Sequence, residues 1–93
     1  MNIKTIAYNS LKELQKEKEI SKSAKINDKI VILGDGALLD SISIVNFFMK
    51  VETKISNIKK KKFTIKLNDI HRQNKGKKSL ILGDFIKVLK KLV

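Results

Sequence analysis

Apolar residues recur at steps of three and four in three separate stretches of this chain, and no other feature constrains its fold as strongly. Ile3, Ile6, Ala7, Leu11 and Leu14 mark the first stretch, with lysines and glutamates filling the other face as far as Glu19. In an α-helix this spacing gathers the apolar side chains into one stripe. A helix over residues 3–19 is expected. Ile44, Phe47, Phe48, Val51, Ile55 and Ile58 form a second stripe, on a helix that begins near Ser41. Leu82, Phe85, Ile86, Leu89, Leu92 and Val93 form a third, on a helix opened by Ser79 with Lys87, Lys90 and Lys91 outside. Three one-sided helices bury their stripes by packing together.

The intervening segments are read from caps and breakers. Asn68 and Asp69 suit the start of a short helix through Gln73, which Lys75-Gly76-Lys77-Lys78 breaks. Lys59 to Lys62 end the second helix, where cations suit the negative end of its dipole, and mark a solvated loop. Residues 20–40 have no helical period. Their spaced anchors Ile20, Ile26, Ile30, Ile32 and Leu33 fit a long loop laid over a core. A competing α/β reading makes Ile30-Val31-Ile32-Leu33 a short buried strand, with the alternating run Phe63–Leu67 as its partner. The expected fold class is all-α: one domain over residues 1–93, a small bundle of three long helices and one short one, with a long loop between the first two.

Composition narrows the function. A chain of 93 residues buries only about 60 to 65% of its unfolded surface, which leaves little room for an enclosed active-site cavity. There is no cysteine and one histidine, so thiol nucleophiles, thiolate zinc sites and most histidine-based acid–base arrangements are excluded. His71 has no neighbouring Cys or His and reads as a surface residue. The expectation is a carrier or binding module, not an enzyme, with no metal site, monomeric and cytoplasmic, since no apolar run suits a signal peptide or membrane span.

The net charge is +12, a value that ordinarily points to nucleic acid or an anionic membrane. Its distribution is uneven: +3 over residues 1–27, −1 over 28–58 and +10 over 59–93. Arg72 is the one arginine among 21 basic residues, whereas groove readout and bidentate phosphate recognition favour arginine. A small basic helical nucleic-acid-binding protein is thus the alternative reading.

The chemistry-bearing segment runs from Gly34 to Glu52. Gly34 and Gly36 loosen the approach to a helix whose start Asp40 and Ser41 can cap, and the first turn aims unpaired N–H dipoles outward. An anion attached at Ser41 is favoured there, with Asp40 alongside to help hold a cation. Ser41 as a plain cap is the simpler reading. Ile42, Val45 and Met49 make a second apolar stripe at the serine end, open to two readings, partner docking or core.

The pattern Gly34-x-x-x-Leu38-Leu39-Asp40-Ser41-Ile42-x-x-Val45, with Glu52 eleven residues beyond the serine, resembles the attachment site of the acyl carrier protein family. The likeness extends along most of the chain, through Leu67–Ile70, Arg72–Asn74 and Leu82-Gly83-Asp84-Phe85. The doubled leucine looks more like stand-alone carriers of polysaccharide, natural-product and D-alanyl pathways than like the fatty-acid carrier. The resemblance implies that a phosphopantetheinyl transferase moves 4'-phosphopantetheine from coenzyme A to Ser41, with Asp40 helping to bind its magnesium. The thiol of that arm would carry acyl or aminoacyl thioesters between activating and transferring enzymes. Ile42 would flank the arm, and Val45, Met49 and Glu52 would serve docking. The chain departs from the family in lacking an acidic second helix: the positions expected to face outward are Ser43, Asn46 and Lys50, and only Glu52 is acidic.

Overall fold

The computed structural model describes residues 1–74 and 78–93, without the side chains of His71 and Gln73. The expected surface position of the His71 side chain, and the helix break at Lys75, Gly76 and Lys77, lie outside what is described. Helix α1 spans Ile3–Lys16 and is opened by Asn2, whose side chain accepts the Thr5 N–H at 3.0 Å. It stops three residues earlier than its charge pattern suggests. Lys18 adopts a left-handed φ of 64°, and the N–H groups of Lys18 and Glu19 fold back onto the carbonyls of Gln15 and Leu14. This pair of bonds is a Schellman ending, with lysine where glycine is usual. Charge alternation carries no signal for such a turn.

Strand β1, Val31–Gly34, and strand β2, Ser79–Ile81, pair antiparallel with Val31 opposite Ile81 and Gly34 opposite Ser79. The domain is small and helix-rich, as expected, and to the expected helices it adds this two-stranded sheet. The alternative strand lay in the right place but with the wrong partner, because residues 63–66 hold no regular structure and residue 67 opens a helix. That segment is instead pinned to the second helix: Phe63 N–H donates to Ser56 Oγ at 2.9 Å and Ile65 N–H to Glu52 Oε2 at 2.6 Å.

Helix α2 spans Ser41–Lys59, helix α3 Leu67–Gln73 and helix α4 Leu82–Leu92. Lys66, not Asn68 or Asp69, is the N-cap of α3, with no side-chain capping bond. Ser79 belongs to β2, so α4 starts three residues later than expected. Its first N–H groups are satisfied by backbone: Leu82 donates to the Ile30 carbonyl and Gly83 to the Asp28 carbonyl, each at 2.8 Å. A β-strand leading straight into a helix can dispense with a capping side chain when a neighbouring loop supplies the acceptors.

The core follows the three stripes. Ile3, Ile6, Ala7, Leu11 and Leu14 of α1 are buried with Ile44, Phe47, Val51 and Ile55 of α2 and Leu82, Phe85, Ile86 and Leu89 of α4. The loop anchors Ile20 and Ile32 are buried too, and Ile26, Ile30 and Leu33 pack against the core. Phe47 and Phe85 meet at 5.2 Å between ring centroids, while Phe48 stacks on Phe85 at 5.4 Å and stays half-buried. Ile58, expected in the stripe, is 54% exposed; the stripe continues for one turn after the packed layer stops. No helix among the described residues is long and apolar enough to cross a membrane.

Candidate functional site

The loop from β1 reaches α2 through two left-handed glycines, Gly34 at φ +95° and Gly36 at +75°. Leu38 N–H returns to the Val31 carbonyl at 2.8 Å, and Leu39 is buried, so the turn before the helix is anchored on both sides. Asp40 is then the N-cap. Its Oδ1 accepts the Ser43 N–H at 2.8 Å, and its carbonyl accepts the Ile44 N–H at 2.9 Å. The Ser43 N–H, then the Ser43 hydroxyl and the Ile42 N–H, hold the Asp40 carboxyl below its usual range. It stays ionised at the positive end of the α2 dipole.

Because Asp40 does the capping, Ser41 is not the cap. Ser41 is the first residue of α2, exposed, and its hydroxyl makes no hydrogen bond among the described residues. The other serine hydroxyls nearby or in the core are committed: Ser43 Oγ donates to the Glu19 carbonyl at 3.5 Å and Ser10 Oγ to the Ile6 carbonyl at 2.8 Å. A hydroxyl that is exposed and unbonded on the first turn of a helix is accessible for esterification by a phosphate.

Ile42, Val45 and Met49 are 70%, 54% and 56% exposed. Of the two readings left open for them, core packing is excluded. They lie on the side of α2 away from Phe47 and Val51, leaving an apolar strip in water immediately after Ser41. Glu52 is placed differently. Its carboxylate accepts the Ile65 N–H and ties the segment before α3 to α2, which is a structural task at the position read as a docking residue.

The positions expected to face outward along α2 turn toward α1 instead. Ser43 is buried, Asn46 Nδ2 donates to Glu19 Oε1 at 2.6 Å, and Lys50 Nζ lies 2.8 Å from Glu17 Oε2 and 3.6 Å from Glu13 Oε1. Lys54 Nζ adds an ion pair to Glu13 Oε2 at 2.7 Å. This polar seam beside the core was missed in the sequence, although Ser43, Asn46, Lys50 and Lys54 recur at steps of three and four like any buried stripe. The hydrogen bond from Lys54 is the main reason that Glu13 titrates below its usual range, and the bond to Glu17 raises Lys50.

Among the described residues no cluster of three metal-ligating side chains occurs. Comparison of the chain with protein-family models, with curated proteins and with solved structures finds no match.

Proposed function

We propose that the chain is an acyl-carrier-type protein that tethers acyl or aminoacyl groups as thioesters on a 4'-phosphopantetheine arm attached to Ser41. The observation that carries this reading is the separation of roles at the start of α2: Asp40 caps the helix, and the Ser41 hydroxyl beside it is exposed and unused. An exposed hydroxyl with no partner in the fold is open to modification by another protein. Supporting it are the Gly34–Val45 pattern and the exposed strip of Ile42, Val45 and Met49, which gives partner enzymes an apolar contact next to the attachment point.

Attachment is a phosphoryl-type transfer. Ser41 Oγ forms a bond to the phosphorus nearer the pantetheine, the phosphoanhydride bond of coenzyme A breaks, and adenosine 3',5'-bisphosphate leaves. The hydroxyl proton passes to a base of the transferase. The chain contributes position and field: α2 holds the hydroxyl, and ionised Asp40 offers a carboxylate oxygen to the transferase's divalent cation. The arm supplies the thiol that this cysteine-free chain lacks.

Intact-mass measurement after incubation with coenzyme A and a broad-specificity transferase tests the proposal. One phosphopantetheine is expected on the native chain and none on Ser41→Ala. A gain that persists in Ser41→Ala, or no gain on the native chain with several transferases, overturns it. The net charge of +12 favours the second reading, nucleic-acid binding.

A further inference from the structure

Two depressions adjoin on the surface between α1, the loop after it and α2. The first, about 470 Å³, runs beside Met49 and is lined by Asn46, Lys50 and Glu17 among others. The second, about 540 Å³, is lined by Lys12, Lys16 and Lys22 with Asn9 and Gln15. Glu13 and Lys54 line both. Their 2.7 Å ion pair is thus the shared wall, and the two depressions form one trough that begins at Met49, the last residue of the exposed apolar strip.

The charges in the trough are unequal. Glu13 and Glu17 are taken up by Lys50 and Lys54, and Glu19 by the Asn46 amide. Lys12, Lys16 and Lys22 are exposed and have no ion-pair partner among the described residues. The exposed strip itself, Ile42, Val45 and Met49, carries no charge, and the one glutamate of α2 is bonded to Ile65. An apolar strip at one end and three unpaired ammonium groups at the other select a partner that is apolar in one place and acidic in another.

We propose that this trough is a docking site for a protein partner whose contact surface presents an apolar side chain for Met49 and Val45 and a row of carboxylates for Lys12, Lys16 and Lys22. A nucleic acid fits less well, since no exposed aromatic side chain occurs among the described residues to stack a base. An anionic lipid surface supplies charge without the discrete apolar side chain that Met49 and Val45 call for, and it is one of the outcomes of the test. The proposal rests on the carrier reading only in making the partner an acyl-handling enzyme; the charge polarity stands without it.

The test is a two-dimensional amide NMR titration with an amphipathic helical peptide of leucines and glutamates, run beside a thymidine decamer and anionic phosphatidylserine vesicles. Shifts are expected to concentrate at residues 12, 16, 22, 45, 49 and 54 with the peptide. The triple variant Lys12→Glu, Lys16→Glu, Lys22→Glu is expected to weaken the peptide at least tenfold. The control Lys60→Glu, Lys61→Glu, Lys62→Glu, also on exposed lysines, is expected to change it less than twofold. Equal losses in the two variants mean general charge attraction and overturn the proposal, as does tighter binding of decamer or vesicles at the same residues. Ser41 modification measured on the same variants separates the two ideas. Loss of peptide binding with modification retained supports the trough, and a chain that is never modified yet binds the peptide there overturns only the carrier reading.

Discussion

At Gly34 the backbone takes φ +95°, and a Cβ placed there would lie 2.3 Å from the Lys78 carbonyl oxygen and 2.9 Å from the Ser79 Cα. Ser79 is the partner of Gly34 across the sheet and Lys78 is the residue before it, so making room for a Cβ displaces backbone at the end of β2. Two residues on, Gly36 has φ +75° with nothing within 4 Å of such a Cβ. The same substitution therefore has two costs. Gly34→Ala is expected to destabilise the chain by more than about 2 kcal/mol, from strain plus collision, and Gly36→Ala by about 1 kcal/mol, from strain alone. Urea unfolding midpoints of the two variants check this difference. A second residue-scale test concerns Tyr8, whose hydroxyl donates to Asp28 Oδ1 while Lys4 lies over its ring. The hydrogen bond to Asp28 raises the Tyr8 hydroxyl above its ordinary 10.0, and the same bond lowers Asp28. A raised folded value stabilises the fold fully below pH 10.0 and loses that contribution as pH climbs through the folded pKa. The chain has one tyrosine and no tryptophan, so near-ultraviolet tyrosinate absorbance reports Tyr8 alone. Its midpoint is expected above 10.0 in the native chain and lower in Asp28→Asn, which keeps the carbonyl that holds Gly83.

The aromatic contact joins α2 to α4, and its members differ in depth. Phe47 is fully buried and touches both Phe48 and Phe85, whereas Phe48 keeps part of its ring in water. Phe47→Ala is expected to cost about 3 to 5 kcal/mol, and Phe48→Ala about half of that, because less transfer from water and a smaller cavity are involved. Thermal unfolding of both variants decides the order, and equal losses would mean that Phe48 closes over in solution. The helices were legible because each repeats its signal for several turns: every apolar residue expected in α1 is buried, and in α2 all but the half-buried Phe48 and the exposed Ile58 are. The sheet was half-legible. Ile30–Leu33 reads as a strand, but β2 is three residues long and its apolar pair Leu80 and Ile81 merges with the stripe of α4. Phe63–Leu67 has the better alternation and no ladder, since its N–H groups are taken by Ser56 and Glu52 side chains. Side-chain capture of a backbone leaves no periodic trace. At the candidate site, the loop–helix junction at Asp40 and Ser41 was readable from residue type alone. Which of the pair caps, and that Lys50 and Lys54 turn inward to the glutamates of α1, depend on the packing of α2 against α1 and were not.

For the whole molecule the charge is the property that most invites a different function. Residues 59–93 carry twelve basic and two acidic side chains, enough to attract any polyphosphate by counterion release. Attraction of that kind is not recognition. Reading bases takes side chains held against base edges or stacked on them, and among the described residues the phenylalanines are buried or half-buried while Tyr8 is engaged with Asp28 and Lys4. Arg72, the one arginine, sits 3.9 Å from Asp69. Oligonucleotide binding is therefore expected to be weak, indifferent to sequence and lost on going from low to physiological salt, because lysine–phosphate contacts are replaced by cations from solution. Anisotropy titrations with RNA and DNA oligomers of differing sequence at two salt concentrations measure this directly. Lys60, the C-cap of α2, and Lys61 and Lys62 just beyond it lie at the far end of the helix from Ser41, a 19-residue helix and hence about 28 Å away at 1.5 Å per residue. That span exceeds the roughly 8 Å screening length at physiological salt. Neutralising these lysines is then expected to diminish oligonucleotide binding at low salt and to leave modification of Ser41 unchanged. Sequence-selective binding that survives physiological salt would instead place the function in the basic third of the chain and leave the serine at the start of α2 without a role.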